Sequence, residues 1–288
     1  MRIFALFLLF IIALAPAFTQ QTQTKKKPEK AAKKTAATPK AKPTPKRTAS
    51  KPKGNVAAKA KATPKPTPKK PKLDESAEWE KCIALTDAAE AIASFKQFIA
   101  NFPASKNMAE AQRRLSGSEA ALADAHFELN EIEPALKLYA AAADDVPKPI
   151  PDTLFNERLS KVPAKLYWKG YRGQALDIAR KLEDKADAPQ LKELAGFYLT
   201  IESGDNARRA ATSAIALAPD SAGYLMLALA DRVDFDLDRS AAAYAKALEL
   251  DPASIQAKRG LAEAYRSLGR SDEAATLYRE ILAADPTN

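Results

Sequence analysis

The side chains that most often carry out chemistry are scarce in this 288-residue sequence and form no catalytic pattern. His126 is the only histidine and Cys82 the only cysteine, so neither a zinc site nor an internal disulfide can be assembled. We expect His126 to be half-buried or in the core. We expect Cys82 to be a small buried hydrophobe, although a single thiol could instead join two molecules. Gly170 and Gly173 lie close together, and we place them in a turn between helices rather than in a phosphate-binding loop.

A run of carboxylates is the one feature that suggests a metal, and its spacing argues against calcium. The run consists of Asp231, Asp234, Asp236 and Asp238. An EF-hand loop requires Gly at its sixth position and Glu at its twelfth. Counted from Asp234, those positions hold Arg239 and Ala245. We therefore predict that the carboxylates cap a helix next to Ser240, that the chain is not an enzyme, and that it uses no metal or cofactor.

The sequence divides into three regions that differ in composition and charge. Residues 1–17 are mainly apolar, residues 18–72 are rich in lysine and proline, and residues 73–288 have an ordinary globular composition. Residues 18–72 hold 18 basic residues against Glu29, a net charge of +17, whereas residues 73–288 hold 26 basic and 35 acidic residues, a net charge of −9. A strongly basic segment, which we call the arm (residues 18–72), therefore precedes a mildly acidic body (residues 73–288).

The N-terminal segment has the features of a secretory signal peptide. Arg2 precedes an apolar run from Ile3 to Leu14, and Ala15-Pro16-Ala17 supplies a small-x-small ending. We predict cleavage after Ala17. The alternative is an uncleaved membrane anchor, although the run is short for a span of about 20 residues. Either alternative predicts that the rest of the chain is exported, which in a Gram-negative cell means the periplasm or the outer envelope.

The arm lacks the apolar residues that a folded core requires. Residues 19–72 contain one Val and no Leu, Ile, Met or aromatic residue, so we predict disorder. Repeated Thr-Pro-Lys units favour polyproline II, in which the arm could reach on the order of 150 Å. Its composition resembles that of linker-histone tails. The arm is either a solvated spacer or an electrostatic contact for an anionic envelope polymer or lipid. We do not expect nucleic acid as its partner, because no aromatic residues are interleaved to stack on bases.

From residue 73 onward, apolar and small residues recur at three- and four-residue steps, which is typical of helices. The sequence also repeats itself. Residues 221–252 and 255–286 align well, and both end in a proline, Pro252 and Pro286, 34 residues apart. Repetition at this period indicates pairs of helices that stack on one another.

These units resemble the tetratricopeptide repeat family at the small residues that define it. The resemblance implies an all-α, right-handed superhelical solenoid, with units at about 73–104, 116–147, 152–185, 188–219, 221–252 and 255–286. Each unit would be two antiparallel helices that cross closest at three small sites. In the four regular units these sites are Ala123, Ala135 and Ala142; Ala195, Ala207 and Ala214; Ala228, Ser240 and Ala247; and Ala262, Ala274 and Ile281.

Two units depart from the pattern. In the first, Trp79 is about one helical turn too close to the second helix, and the stretch 95–115 resembles repeats of bacterial envelope assembly proteins. In the unit at 152–185, Pro163 interrupts the first helix, so we predict a kink or an irregular join there.

The resemblance also implies a concave face that is lined by the first helices and binds a protein or peptide partner. The matching residues are Lys192, Leu199, Leu225, Leu229, Arg232, Arg259, Glu263 and Arg266. We predict that Leu225 and Leu229 form an exposed apolar patch between arginines, where a partner could dock. Gly196 and Met226 stand where carboxylate-gripping members of the family need asparagine, so we do not expect that activity.

The last predicted helix ends just before Thr287-Asn288, and repeat arrays usually end in a polar capping helix. Its Leu277, Ile281 and Leu282 side could therefore mediate self-association, or could be shielded by its own polar residues. Three functions remain open: an exported adaptor that binds protein through its groove, a polyanion-binding protein that acts through its arm, and a non-catalytic subunit of an envelope assembly or secretion complex.

Overall fold

The computed structural model describes residues 73–284, and this part of the chain is helical and contains no strand. The predicted leader, the arm and the last four residues lie outside the described residues. The helices are α1 (Glu75–Ala84), α2 (Ala88–Asn101), α3 (Met108–Glu128), α4 (Ile132–Asp145), α5 (Asp152–Leu154), a π-helix (Phe155–Leu159), α6 (Lys161–Trp168), α7 (Arg172–Glu183), α8 (Ala188–Thr200), α9 (Gly204–Leu217), α10 (Ser221–Val233), α11 (Leu237–Leu250), α12 (Ile255–Ser267) and α13 (Ser271–Ala284). None of the described helices is both long and apolar enough to span a bilayer.

Short turns join the helices into six stacked pairs, which we number 1 to 6 in chain order. Pair 1 is α1 with α2, pair 2 is α3 with α4, and pair 3 is the α5–π–α6 segment with α7. Pairs 4, 5 and 6 are α8 with α9, α10 with α11, and α12 with α13. The two helices of each pair pack on each other. Successive pairs pack through α2 on α3, α4 on α7, α7 on α8, α9 on α10 and α11 on α12. The predicted all-helical arrangement of pairs is therefore confirmed.

The predicted small sites lie where helices approach closest. All twelve are buried, with exposed fractions between 0% and 4%. At Ser240, the one polar member, the hydroxyl donates to the carbonyl oxygen of Ala228 at 2.8 Å and so remains hydrogen-bonded in the core. Backbone packs just as closely at Gly260 of α12, where an added Cβ would lie 2.3 Å from ring carbons of Tyr244.

The turn inside each of pairs 2 to 6 has the same backbone geometry. One residue of each turn has a positive φ, between 55° and 96°. It lies five residues before the second small site in the four regular pairs, and five residues before the buried Ala175 in pair 3. These residues are Asn130, Gly170, Glu202, Phe235 and Gly269. Glycine and asparagine suit this left-handed conformation, whereas a bulky side chain such as Phe does not.

Pair 3 is irregular, as predicted from Pro163. The first half of pair 3 is broken into a three-residue helical turn (α5), the π-helix and α6. Pro163 is buried in the first turn of α6. Gly170 has φ 96° in the turn that follows, but Gly173 lies in the first turn of α7 rather than in the predicted inter-helix turn. The peptide bond between Lys148 and Pro149, which precedes pair 3, is cis.

Pairs 1 and 2 also differ from the predicted units. The predicted second unit begins at about residue 116, whereas helix α3 begins at Met108 and continues without interruption for 21 residues. In pair 1, α1 has only ten residues. Trp79 still fills the space between the helices, with its ring centre 5.3 Å from that of Phe98 and 6.1 Å from that of Phe95.

Candidate functional site

The concave groove predicted on α8, α10 and α12 is more closed than its sequence suggests. Leu225 is only 9% exposed and belongs to the same core cluster as Ala257 and Leu261 of α12, and Leu229 is half-buried against that cluster. The predicted exposed apolar patch is therefore wrong, because the stacked pair 6 covers it. Leu199 is likewise half-buried against the core of pairs 2 to 4.

The charged residues of this groove pair with one another across neighbouring pairs of helices. Lys192 of α8 forms an ion pair with Asp220, which caps the start of α10. Arg232 of α10 contacts Glu263 of α12 at 3.0 Å. Arg259 and Arg266, on α12, are exposed. The groove is thus partly neutralised by its own side chains, and its charges help to hold successive pairs together.

A cavity of about 420 Å³ lies over α3 in the N-terminal half of the body. One wall is the end of α1, its turn and the start of α2. The other wall is the irregular segment that contains α5 and the π-helix, and residues 113–121 of α3 form its base. A volume of this size suits one or two side chains of a partner. Sequence analysis missed this site, because both of its walls come from the two pairs that depart from the repeat pattern.

Three guanidinium groups line this cavity. Arg113 of α3 binds Glu110 through two hydrogen bonds of 2.6 Å, and Arg114 Nε donates to the same carboxylate at 2.7 Å. The hydrogen bonds from Arg113 lower the pKa of Glu110 to about 2, with Arg114 adding to the effect, so this carboxylate remains charged at neutral pH. Two arginines share one carboxylate, and each keeps N–H groups that can bind another anion.

Arg158, on the opposite wall, has a more distant acidic partner, which it shares with two other residues. Its guanidinium lies 3.5 Å from Asp124, whose carboxylate also accepts from Lys165 at 2.5 Å and from the Tyr139 hydroxyl at 2.6 Å. The cavity lining itself contains these three arginines and a single acid, Glu157. A cationic cavity thus lies in a body whose net charge is −9.

The remainder of the cavity combines hydroxyl groups with an apolar surface. Its polar members are Thr86, Ser118 and Thr153, and its apolar surface includes Phe95 and Leu154. Cys82 also contributes to the lining, but it is only 2% exposed and its Sγ lies 3.0 Å from Ser94 Oγ. The prediction of a buried Cys82 is confirmed.

The carboxylate run of pair 5 does not form a metal site. Asp236 caps α11 by accepting from the backbone N–H of Arg239, as predicted. Asp231 and Asp234 instead bind Arg208 of α9, at 2.7 Å and 2.5 Å, so the capping prediction is wrong for these two. No cluster of His, Cys, Asp or Glu between residues 73 and 284 could hold a metal ion. His126 is half-buried, as predicted, with Nδ1 2.5 Å from the Glu131 carboxylate.

One buried carboxyl group lies apart from the cavity, between pairs 1 and 2. Glu119 of α3 is 0% exposed; Lys96 of α2 lies 2.7 Å from it, and Asp145 of α4 lies 3.7 Å from the same ammonium. Burial, together with the negative charge of Asp145, raises the pKa of Glu119 to about 7 against the opposing effect of Lys96.

One family model and several solved structures are similar to parts of this chain. Residues 234–288 match the family model described as tetratricopeptide repeat. No curated protein sequence matches the chain. Similar solved structures include MamA, at 21% identity and a TM-score of 0.41 over 57% of this chain and 95% of that one. YrrB, described as a TPR protein with an unusual peptide-binding site, is 16% identical with a TM-score of 0.41, over 67% and 92% of the two chains.

A third similar structure is the C-terminal part of a TPR repeat-containing protein from Cytophaga hutchinsonii, which is 20% identical with a TM-score of 0.43 over 75% of this chain and 96% of that one. The family match at residues 234–288 covers α11 of pair 5 and both helices of pair 6, in the units whose repetition is clearest in the sequence. The C-terminal part of the described chain, from residue 234 onward, therefore matches the tetratricopeptide repeat family.

Proposed function

We propose that this chain is an exported adaptor that binds a segment of a partner protein in the arginine-lined cavity. The observation that carries this proposal is the cavity itself: three guanidiniums with free N–H groups, beside hydroxyls and an apolar surface, in an otherwise acidic body. Such a lining suits a carboxylate side chain next to a small apolar one. The arm would then be a spacer that holds the body away from a membrane or wall.

Export to the periplasm or outer envelope is part of the same proposal. It is supported by the basic start, apolar run and Ala15-Pro16-Ala17 ending of the leader. Fusion of residues 1–17 to a reporter that is active only outside the cytoplasm tests it, and a reporter that stays inactive would contradict it.

The proposed binding site can be tested with peptides on the full chain. We suggest a labelled peptide pool in which two glutamates flank an alanine or leucine, beside the same pool with glutamine. The Arg114→Ala, Arg158→Ala double variant removes two of the three cavity arginines, and Arg266→Ala removes an exposed arginine of α12 as a matched control. Fluorescence anisotropy should show that only the acidic pool binds, and that the double variant weakens binding about tenfold or more. Equal losses in the control would contradict the assignment.

A second candidate function rests on the charge of +17 on the arm. Under this alternative the chain is a polyanion-binding envelope protein, and the repeats only recruit or multimerise. Deletion of residues 18–72 distinguishes the two functions. If the cavity is the binding site, peptide binding survives the deletion. If the arm is the binding segment, binding to an anionic polymer is lost.

The subunit hypothesis and self-association through α13 are weaker proposals. Of the three side chains that sequence analysis placed on an open face of α13, Ile281 is only 4% exposed and Leu277 is half-buried against the core, while Leu282 is 49% exposed. One exposed leucine is too small an area for a stable interface by itself.

A further inference from the structure

Pair 1 packs on the rest of the body mainly through one interface, that of α2 with α3. Its core is a small cluster of six buried side chains, among them Phe95, Phe98 and Leu115. This cluster is separate from the core that runs through pairs 2 to 4. Pair 1 can therefore loosen on α3 while the pairs that follow keep their own packing.

A group of charges is buried at this interface, and the charges do not balance. Glu119 of α3 is 0% exposed, and it is faced by Lys96 of α2, at 2.7 Å, and by Asp145 of α4, which lies 3.7 Å from the same ammonium. Among residues 73–284, no hydroxyl or backbone N–H donates to either oxygen of Glu119. Two carboxyl groups thus share one ammonium, so ionisation of both leaves a buried negative charge without compensation.

The same interface sets the position of one wall of the arginine-lined cavity. Six of the lining residues belong to α1, α2 and the turn between them, whereas residues 113–121 of α3 form the base. Glu119 lies within that stretch of α3 but faces α2 instead of the cavity. A movement of α2 on α3 would displace this wall and leave Arg113 and Arg114 in place on the base.

We propose that protonated Glu119 holds pair 1 on α3, and that ionisation of Glu119 loosens pair 1 and so disfavours the state of the cavity that binds its partner. This regulation rests on the proposed function, because the acidic segment of a partner protein is the ligand that it controls. The mechanism needs no second ligand. A single proton decides whether the interface between pairs 1 and 2 contains an uncompensated charge.

The change of charge falls near neutral pH. Burial raises the pKa of Glu119 to about 7 in the docked state, whereas its ordinary value of 4.5 applies once α2 has moved away and water reaches the carboxyl group. Docking is therefore fully favoured below about pH 4.5, and this contribution is lost as the pH rises through 7. Between about pH 6 and about pH 8, the equilibrium constant for docking should fall about tenfold.

Hydrogen exchange followed by mass spectrometry on the full chain tests the docking of pair 1. Exchange is measured at about pH 6 and about pH 8, with times corrected for the intrinsic pH dependence of amide exchange. Amides of α2 should lose about tenfold in protection at the higher pH, while those of α9 keep theirs.

Three variants assign the effect to Glu119. Glu119→Gln imitates the neutral carboxyl group and should keep α2 protected at both pH values. Asp145→Asn should make the loss smaller, because the charge of Asp145 raises the pKa of Glu119. His126→Asn is the control: His126 is the single histidine of the sequence, and a histidine also changes charge near neutral pH. The loss of protection should be the same in this variant as in the unchanged chain.

The acidic peptide pool, added to the same measurement, connects docking to the cavity. If the peptides bind only the docked state, a concentration of about ten times their Kd should raise the protection of α2 about tenfold at about pH 8. Peptides that bind and leave the protection of α2 unchanged would overturn the proposal.

Results with the free chain can overturn the proposal independently of the peptides. They do so if α2 is equally protected at the two pH values, if α9 loses as much protection as α2, or if the pH effect persists in Glu119→Gln. Peptides that bind at neither pH contradict the proposed function instead, and the exchange of the free chain still decides whether Glu119 controls pair 1.

Discussion

Two glycines inside first helices provide a sharp test of how closely the pairs pack. Gly260 of α12 faces Tyr244 of α11, and a Cβ at this position would lie 2.3 Å from the Cε1 and Cζ atoms of the ring. Gly196 of α8 has open space around its Cα, with no atom within 4 Å of an added Cβ. Both positions lie in helix interiors, so replacement by alanine gives the same gain in helix propensity and differs only in contact.

The expected effects have opposite signs. Gly196→Ala should raise the free energy of unfolding by about 0.5–1 kcal/mol, because alanine restricts the unfolded chain and favours the helix. At Gly260 the same gain is outweighed by overlap with Tyr244, which is only 2% exposed and cannot easily move. Overpacking of this kind costs about 1–3 kcal/mol, so Gly260→Ala should be destabilising by about 1–2 kcal/mol overall.

Thermal unfolding followed by far-UV circular dichroism measures the difference. For a body of this size, 1 kcal/mol shifts the Tm by about 2–4 °C, so the two variants should differ by roughly 4–10 °C. A Tm for Gly260→Ala that equals or exceeds that of Gly196→Ala would refute the close approach of α12 to Tyr244. Combining Gly260→Ala with Tyr244→Leu should lose less than the sum of the two single changes, because the ring atoms in the way are removed.

Three further predictions concern charge and backbone. Because the pKa of Glu119 rises from 4.5 to about 7 on folding, its carboxyl group contributes stability that is fully present below about pH 4.5 and is lost as pH rises through 7. This loss is on the order of 2 kcal/mol between pH 5 and pH 8. Glu119→Gln should abolish it, as checked by Tm values at the two pH values. Phe235→Asn should stabilise the body by about 1 kcal/mol in urea unfolding by relieving a positive φ, and a decrease would contradict the strain. Arg208→Ala should cost about 2–3 kcal/mol in the same assay, because it strands the buried Asp231, whereas Arg239→Ala at an exposed pair should cost under about 1 kcal/mol.

The fold could be predicted because its rules are local. Small residues at fixed distances from a closing proline mark where two helices cross, and the twelve predicted sites are all buried. Each pair contacts mainly its neighbours, so the same sequence pattern predicts the same packing in every regular unit. Pro163 predicted the break in pair 3 for the same reason, since proline disrupts the interior of a helix and is tolerated in the first turn, where α6 has it.

The binding surface could not be predicted in this way. Whether Leu225 is exposed depends on the residues of α12, which lie about thirty positions further along the chain and meet it only after stacking. The charges of the groove follow the same logic: Lys192 and Arg232 are free in a single unit, and they acquire partners, Asp220 and Glu263, only from the next pair.

The arginine-lined cavity shows where such a protein can place a specific site. A regular array presents much the same spacing at every pair, so a cavity needs a departure from regularity. Here α1 is short, and the segment opposite is broken by a π-helix. These departures separate the two walls over α3, where Arg113 and Arg114 share one carboxylate. The units that match the family least are therefore the ones that create the candidate site, which is expected when function requires a local exception to the rules of the fold.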